Sequence, residues 1–260
     1  MNKPALRLLV VLLAWPLAAL AQQEVREIPT RPGVTVRFIY TRAEQPVASA
    51  VLLQGGSGAI GIYPNGSTNS TGFLATGAAR FASNGISVVV PDTPSDRRNL
   101  HDFRATPEHA EDIAALIAYL RQQSTVPVWA VGTSNGSLSA ASAAATLKER
   151  GPDGIVLTAA VTRPLSAQAH LVTDAPLGEV RVPALLVHHR SDGCAVTPYD
   201  AMPALLAALK ASRKAELITV DGGERGSGTP CGGGHHQFLG IEEPVTQAIA
   251  EWIRRHPPSR

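Results

Sequence analysis

The chain has 260 residues, 44% of them hydrophobic and 17% charged, enough to bury the core of one α/β domain or of two small ones. Lys and Arg number 23 against 21 Asp and Glu, and a leader carrying Lys3 and Arg7 accounts for the difference, since 23 − 2 = 21. A balanced charge with no basic stripe excludes nucleic acid as a partner, and no Arg/Lys-faced amphipathic helix points to a membrane anchor.

The leader itself is legible. Lys3 and Arg7 precede an apolar run, Leu8 to Leu13, and Ala19-Leu20-Ala21 supplies an A-x-A cleavage pattern. The run is too short to span a bilayer and is broken by Pro16. Residues 1–21 are therefore expected to be a cleaved secretory signal, leaving 22–260 as one domain, periplasmic or secreted.

In the remaining chain, Glu24 to Ile28 and Val34 to Tyr40 read as short strands joined across Pro29 to Gly33, an antiparallel hairpin at a sheet edge. Val47 to Gln54 is a stronger apolar run that ends in Gln54-Gly55-Gly56-Ser57-Gly58, a loop whose bare backbone can approach a ligand. A polar loop follows, then a helix from about Gly72 to Ser83, stopped by Asn84-Gly85. Ile86 to Val90 is the next buried strand, closed by Pro91-Asp92, and residues 93–105 are irregular. Thr106 caps a helix with Pro107 in its first turn and Ile113, Leu116, Ile117 and Leu120 on one face.

The centre of the chain is Gly132-Thr133-Ser134-Asn135-Gly136. It follows the β-branched run Val126 to Val131 and precedes the Ala-rich helical stretch Ser137 to Leu147. A serine between glycines at a strand-to-helix switch has the context of a nucleophile elbow, and this is the only G-x-S-x-G in the sequence. Ile155 to Val161 and Ala184 to His188 are further strands, and the short gap between them leaves room for a small cap or none. Thr197-Pro198 opens a helix, with Asp200 giving a capping-box-like pattern and Leu205, Leu206 and Leu209 an apolar face. Leu217 to Val220 is the last strand. A final helix, about Glu242 to Arg255, buries Val245, Ile249, Trp252 and Ile253. This alternation predicts an α/β fold, a mostly parallel sheet with helices on both faces.

A serine needs a base held by a third group, and at an elbow the chain order is Ser, acid, His. Asp192 follows the strand ending at His188, in position to accept an imidazole N–H, fix its tautomer and stabilise the imidazolium. His235 and His236 lie after the last strand and before the final helix, where the base is expected. The oxyanion donors are expected to be the N–H of Asn135 and one from the loop after Gln54, Gly56 ahead of Ser57. The only cysteines, Cys194 and Cys231, form an even pair in an exported chain and are expected to be bridged. That bridge would tie the acid loop to the base loop.

Taken together, Leu52 to Gly56, Pro107 to Ile113, Gly132 to Gly136, His188 to Cys194 and His236 to Glu242 resemble the α/β-hydrolase superfamily, in particular exported bacterial hydrolases of the esterase and dienelactone-hydrolase-like kind. The resemblance spans about residues 47–254. It implies the α/β-hydrolase fold and a serine hydrolase using Ser134, Asp192 and His236 on carboxylic esters of small to medium size. It favours His236 over His235, because relatives often read His-Gly-Phe where this chain has His236-Gln237-Phe238. Gln54 also departs from the His that often precedes the oxyanion glycine.

No metal ligand set such as C-x-x-C or H-E-x-x-H occurs, and no cofactor is implied. Gly56-Ser57-Gly58-Ala59-Ile60-Gly61 formally matches the dinucleotide fingerprint, but Pro64 and Gly66 follow where a helix must open on the pyrophosphate. Two alternatives stand beside the esterase expectation: a peptidase or other acyl hydrolase on the same triad, and a non-catalytic binding protein of the same fold.

Overall fold

The structure is a computed structural model and describes residues 23–165 and 170–258. The expected signal, 1–21, lies outside the described residues.

Eight strands form one sheet in the order β1-β2-β4-β3-β5-β6-β7-β8. β1 (Gln23–Arg31) and β2 (Val34–Thr41) form the expected antiparallel edge hairpin, turned by Gly33 at φ 73°. β2 also runs antiparallel to β4 (Ile86–Pro94), whereas β3 (Ala48–Leu53), β4, β5 (Val128–Thr133), β6 (Gly154–Thr158), β7 (Ala184–His189) and β8 (Ala215–Val220) are mutually parallel. The parallel strands are apolar on both faces because helices cover both. α2 (Pro107–Gln123), α3 (Gly136–Thr146) and α4 (Met202–Ala208) pack on one side, over Val51, Leu53, Ala130 and Leu186. α1 (Ala78–Ser83) and α5 (Glu242–Arg255) cover the other, over Ala50, Leu52, Trp129 and Val131. The face of α5 expected from spacing is buried, and its Trp252 meets Trp129 edge to face at 5.7 Å.

Three local differences from the sequence reading have physical causes. The helix expected from Gly72 begins only at Ala78, because the preceding residues close as separate turns, Thr76 N–H to the Gly72 carbonyl and Gly77 N–H to the Leu74 carbonyl, while Phe73 N–H donates to Gln237 Oε1 (2.8 Å) and Ala75 N–H to Gln54 Oε1 (3.0 Å). β4 continues through Pro91 to Pro94, since it pairs antiparallel with β2 across an irregular register where the absent proline N–H is tolerated. Thr197 does not cap α4. A 3₁₀ turn, Tyr199–Ala201, intervenes, and the Thr197 hydroxyl is engaged elsewhere.

Between β6 and β7 the described chain forms only two 3₁₀ turns, Val172–Asp174 and Leu177–Glu179. No helix opens between Gly56 and Gly77, so the fingerprint-like glycines lack the N-terminus a pyrophosphate would need.

Candidate active site

β3 and β5 are adjacent, with Leu53 opposite Gly132, while β4 lies on the far side of β3. The chain therefore leaves neighbouring strands in opposite directions, the place where open α/β sheets form a crevice. The loops after β3 and β5 meet there.

Ser134 sits between β5 and α3 with φ 52°, a left-handed conformation that costs a serine energy and is held by its surroundings. A Cβ on Gly132 would strike the Gly136 carbonyl, and one on Gly136 would strike the Leu53 carbonyl. Gly55 is as tightly placed: a Cβ there would lie 2.7 Å from Ser134 Cβ and 2.8 Å from the Thr133 carbonyl. The expected elbow is thus built from close backbone contacts that only glycine permits.

Asp192, after β7, and His236, in a short 3₁₀ turn (Gly234–Gln237) after β8, come together with His236 Nδ1 2.9 Å from Asp192 Oδ2. The carboxylate also accepts from the Cys194 N–H at 2.9 Å and the Thr197 hydroxyl at 2.8 Å. Thr197 Oγ1 is itself 3.2 Å from His236 Nδ1, so the hydroxyl braces both partners. Burial alone would push the Asp192 carboxyl up. The hydrogen bonds from His236, Cys194 and Thr197 outweigh it and hold the group below the usual carboxylate range, so it is ionised. His236 is 1% exposed, and among the described residues its Nε2 has no hydrogen-bond partner, Ser134 Oγ included.

The two neighbouring histidines are separated by their contacts. His235 Nδ1 faces the Ser191 carbonyl at 3.0 Å, and its ring stacks on His189 at 4.1 Å. His236 is anchored from its other side by Gln237, bonded to Phe73, and by Phe238, packed on the Phe73 ring at 5.0 Å. Gln54 and Gln237, the two departures from the superfamily pattern, thus grip the same stretch, 73–75.

Cys194 and Cys231, 37 positions apart in sequence, form a disulfide. The expected bridge is present, and it joins the Asp192 loop to the exposed segment leading to His236.

Sequence reasoning passed over Thr197, His188 and Arg104. Thr197 read as a helix cap. His188 is buried on β7, with Nε2 2.9 Å from the Thr197 carbonyl and 3.5 Å from Asp192 Oδ2. Burial pushes its pKa down, against the pull of Asp192, which keeps it neutral beside the carboxylate. Arg104 stood in a stretch with no periodicity. Among the described residues neither the Gly56 nor the Asn135 N–H donates to a protein acceptor, and no group of three or more His, Cys, Asp or Glu is placed to hold a metal ion.

A cavity of about 330 Å³ opens beside Asn135, with Leu138, Val161 and Val196 as an apolar wall and Arg104 and Arg163 among its polar lining.

No protein-family model matches this sequence, and no curated protein matches it. Solved structures do. A dienelactone hydrolase from Anabaena variabilis is 15% identical, with 92% of this chain and 99% of that one covered at a TM-score of 0.65. An α/β serine hydrolase without a lid from Xanthomonas campestris is 18% identical, covering 91% and 97% at 0.59. An esterase from Pyrococcus furiosus is 13% identical, covering 95% and 96% at 0.64. At these identities the likeness establishes the α/β-hydrolase fold.

Proposed function

We propose that this protein is a serine hydrolase that cleaves carboxylic esters of small to medium size through an acyl-enzyme on Ser134. The observation that carries the reading is a serine held at φ 52° on a glycine-bounded elbow, with an Asp192–His236 pair at 2.9 Å, all beyond the carboxyl ends of parallel strands of the sheet. Neighbours of this fold described as esterases and hydrolases support it.

The chemistry follows from the placement. With Asp192 accepting the Nδ1–H, the lone pair of His236 Nε2 is available to take the Ser134 proton as Oγ attacks the ester carbonyl. The carbonyl oxygen becomes an oxyanion facing the Asn135 and Gly56 N–H groups. Gly56 serves better than Ser57. The Gly56 carbonyl is turned toward Arg104 and Asn135 Nδ2, and in a trans peptide the Ser57 N–H points the opposite way. Collapse of the tetrahedral intermediate expels the alcohol, which takes the proton from His236. A water activated by the same imidazole then releases the acid, and no cofactor enters the cycle.

The 330 Å³ cavity and the small connection between β6 and β7 suit an acyl or alkoxy group of modest size. The disulfide fits an oxidising compartment and hence the exported, single-domain mature chain from residue 22.

A nitrophenyl ester series from acetate to laurate tests the reading. We expect a maximum in kcat/KM at short to medium acyl length and its loss in Ser134→Ala. Turnover of peptide amides but not esters would replace esterase with peptidase. Tight binding of an ester without turnover in the wild type would make the protein a binding protein.

A further inference from the structure

Arg104 lies in the irregular segment between β4 and α2 and is only 3% exposed. Its Nη2 donates to the Gln54 carbonyl at 3.1 Å and the Gly56 carbonyl at 3.2 Å, both in the loop after β3. Its Nη1 donates to Ser139 Oγ at 3.0 Å, one turn along α3 from Asn135. No carboxylate lies within hydrogen-bonding distance of this guanidinium among the described residues; of the acids that border a cavity with it, Asp112 is bound by Arg31, Asp92 accepts from the Ile60 and Ile62 N–H groups, and Asp102 is exposed. Its neighbour His109, 2.9 Å from Ser139 Oγ, supplies no counter-charge. A buried cation whose Nη groups meet only main-chain carbonyls and one hydroxyl, and whose Nε has no partner among the described residues, is costly to fold, and its retention at this place calls for a reason.

The bonding pattern supplies one. The loop from Gln54 to Gly58 carries the first oxyanion donor, and α3 begins beside the second. The loop is glycine-rich, with Gly56 at φ 59° and Gly58 at φ 81°, so its own backbone restrains it weakly. The 100–104 segment fastens it at successive points: Leu100 N–H to the Ser57 carbonyl at 2.7 Å, then Arg104 to Gln54 and Gly56. Asn135 Nδ2 closes the pattern on the Gly56 carbonyl at 3.2 Å. Only the planar fork of an arginine can reach two carbonyls of one loop and a hydroxyl of one helix together. A lysine ammonium would satisfy a subset.

We propose that Arg104 is the positioning residue of the oxyanion hole, tying the Gly56 loop to α3 so that the Gly56 and Asn135 N–H groups keep a fixed separation. The inference rests on the serine-hydrolase reading above and deepens it. Arg104 is 3% exposed, presents little surface to the cavity it borders, and touches no reacting atom. It acts by holding two peptide groups still while charge develops between them, so it lowers the barrier without strengthening ground-state binding.

The test compares wild type with Arg104→Met, Arg104→Lys and Ser139→Ala, each shown folded by circular dichroism at the assay temperature. Two inhibitors are used: an alkyl trifluoromethyl ketone, whose hemiketal oxygen occupies the hole, and the ether analogue of the best ester, which has no carbonyl. Removing one oxyanion donor outright costs on the order of a hundredfold to a thousandfold in kcat, so loosening the pair should cost about tenfold to a hundredfold. We expect Arg104→Met to lose that much kcat with KM within about threefold, and its trifluoromethyl ketone Ki to rise in step while the ether Ki stays constant. Arg104→Lys should recover part of the loss. Ser139→Ala, which removes one anchor, should show the same pattern at smaller size and serves if Arg104→Met does not fold. Equal changes in both Ki values, or a lower melting temperature with kcat unchanged, would overturn the assignment and make Arg104 a structural residue. An inactive wild type that does not bind the ketone would overturn the serine-hydrolase reading as well, whereas loss of the Ki pattern in variants of an active enzyme removes only the Arg104 proposal.

Discussion

Breaking the Cys194–Cys231 bridge should lower activity before it unfolds the protein. The bridge closes a loop of 37 residues, and the chain-entropy model gives it about 4 kcal/mol of stability, within the margin of a typical domain. Its catalytic weight comes from what lies on either side. Cys194 is 1% exposed, and its N–H holds Asp192 Oδ1 at 2.9 Å, so the acid end is fixed in the core. Residues 221–232 are exposed, and Gly222, Gly223 and Gly226 all sit at positive φ, so the path to the base is permissive. Beyond it, His236 keeps the Phe238–Phe73 contact and the Gln237 bond. Those anchors restrain His236 without the bridge, and a residual displacement of about 1 Å would cost on the order of a hundredfold in rate. Nitrophenyl ester hydrolysis, near-UV circular dichroism and thiol counting across a reductant titration check this, with Cys231→Ser as the genetic counterpart. We expect kcat to fall while near-UV dichroism persists. Activity that survives until the tertiary signal collapses would show that the bridge is only a staple, and two free thiols in oxidised, secreted protein would refute the pairing.

Other consequences are as direct. His236→Ala should lower kcat by several orders of magnitude and His235→Ala by less than about tenfold, because His235 contributes one bond to a carbonyl; steady-state kinetics on both would expose a reversed assignment. Thr197→Val removes a hydroxyl bond to an ionised carboxylate, worth about 1.5–3 kcal/mol, and should cut kcat about tenfold or more; Thr197→Ser should restore most of it, and equal kinetics in both would dismiss the hydroxyl. His109 is held neutral, its pKa pushed down to about 3 by burial and by Arg104 and Arg31. Its folded value lies below the unfolded one, so its contribution is intact above about pH 6.5 and drains as pH falls toward 3, at about 1.4 kcal/mol per pH unit from this group. Urea midpoints of wild type and His109→Asn between pH 7 and 4 should converge as pH falls, and parallel curves would contradict the assignment.

Legibility in the sequence followed how local each cause is. The Ser134 elbow was readable because the strand run, the G-x-S-x-G and the Ala-rich helical run are contiguous, although only Gly132 is demanded by backbone a few residues away and Gly136 is demanded by the distant Leu53 carbonyl. The proximity of Asp192 and His236 was readable because strand order brings the loops after β7 and β8 together. Arg104 was not, since its partners are carbonyls some fifty positions earlier, which accept from any donor and leave no side-chain pattern. Thr197 was misread for a related reason: Thr-Pro is a good helix opening, but the hydroxyl is claimed by Asp192 across the turn. Gln54 and Gln237 stood out in the sequence as departures from the superfamily pattern, and their side chains accept from the Ala75 and Phe73 N–H groups. Only tertiary structure shows that these two glutamines meet one segment.

The central claim is that Ser134 is a nucleophile activated by His236. Mass spectrometry of peptides after reaction with a fluorophosphonate measures it most directly, with loss of esterase activity followed in the same sample. The account predicts stoichiometric label on the peptide containing Ser134, in step with inactivation, and slow labelling in His236→Ala. An active preparation that takes up no label, or takes it up on another residue, would contradict it.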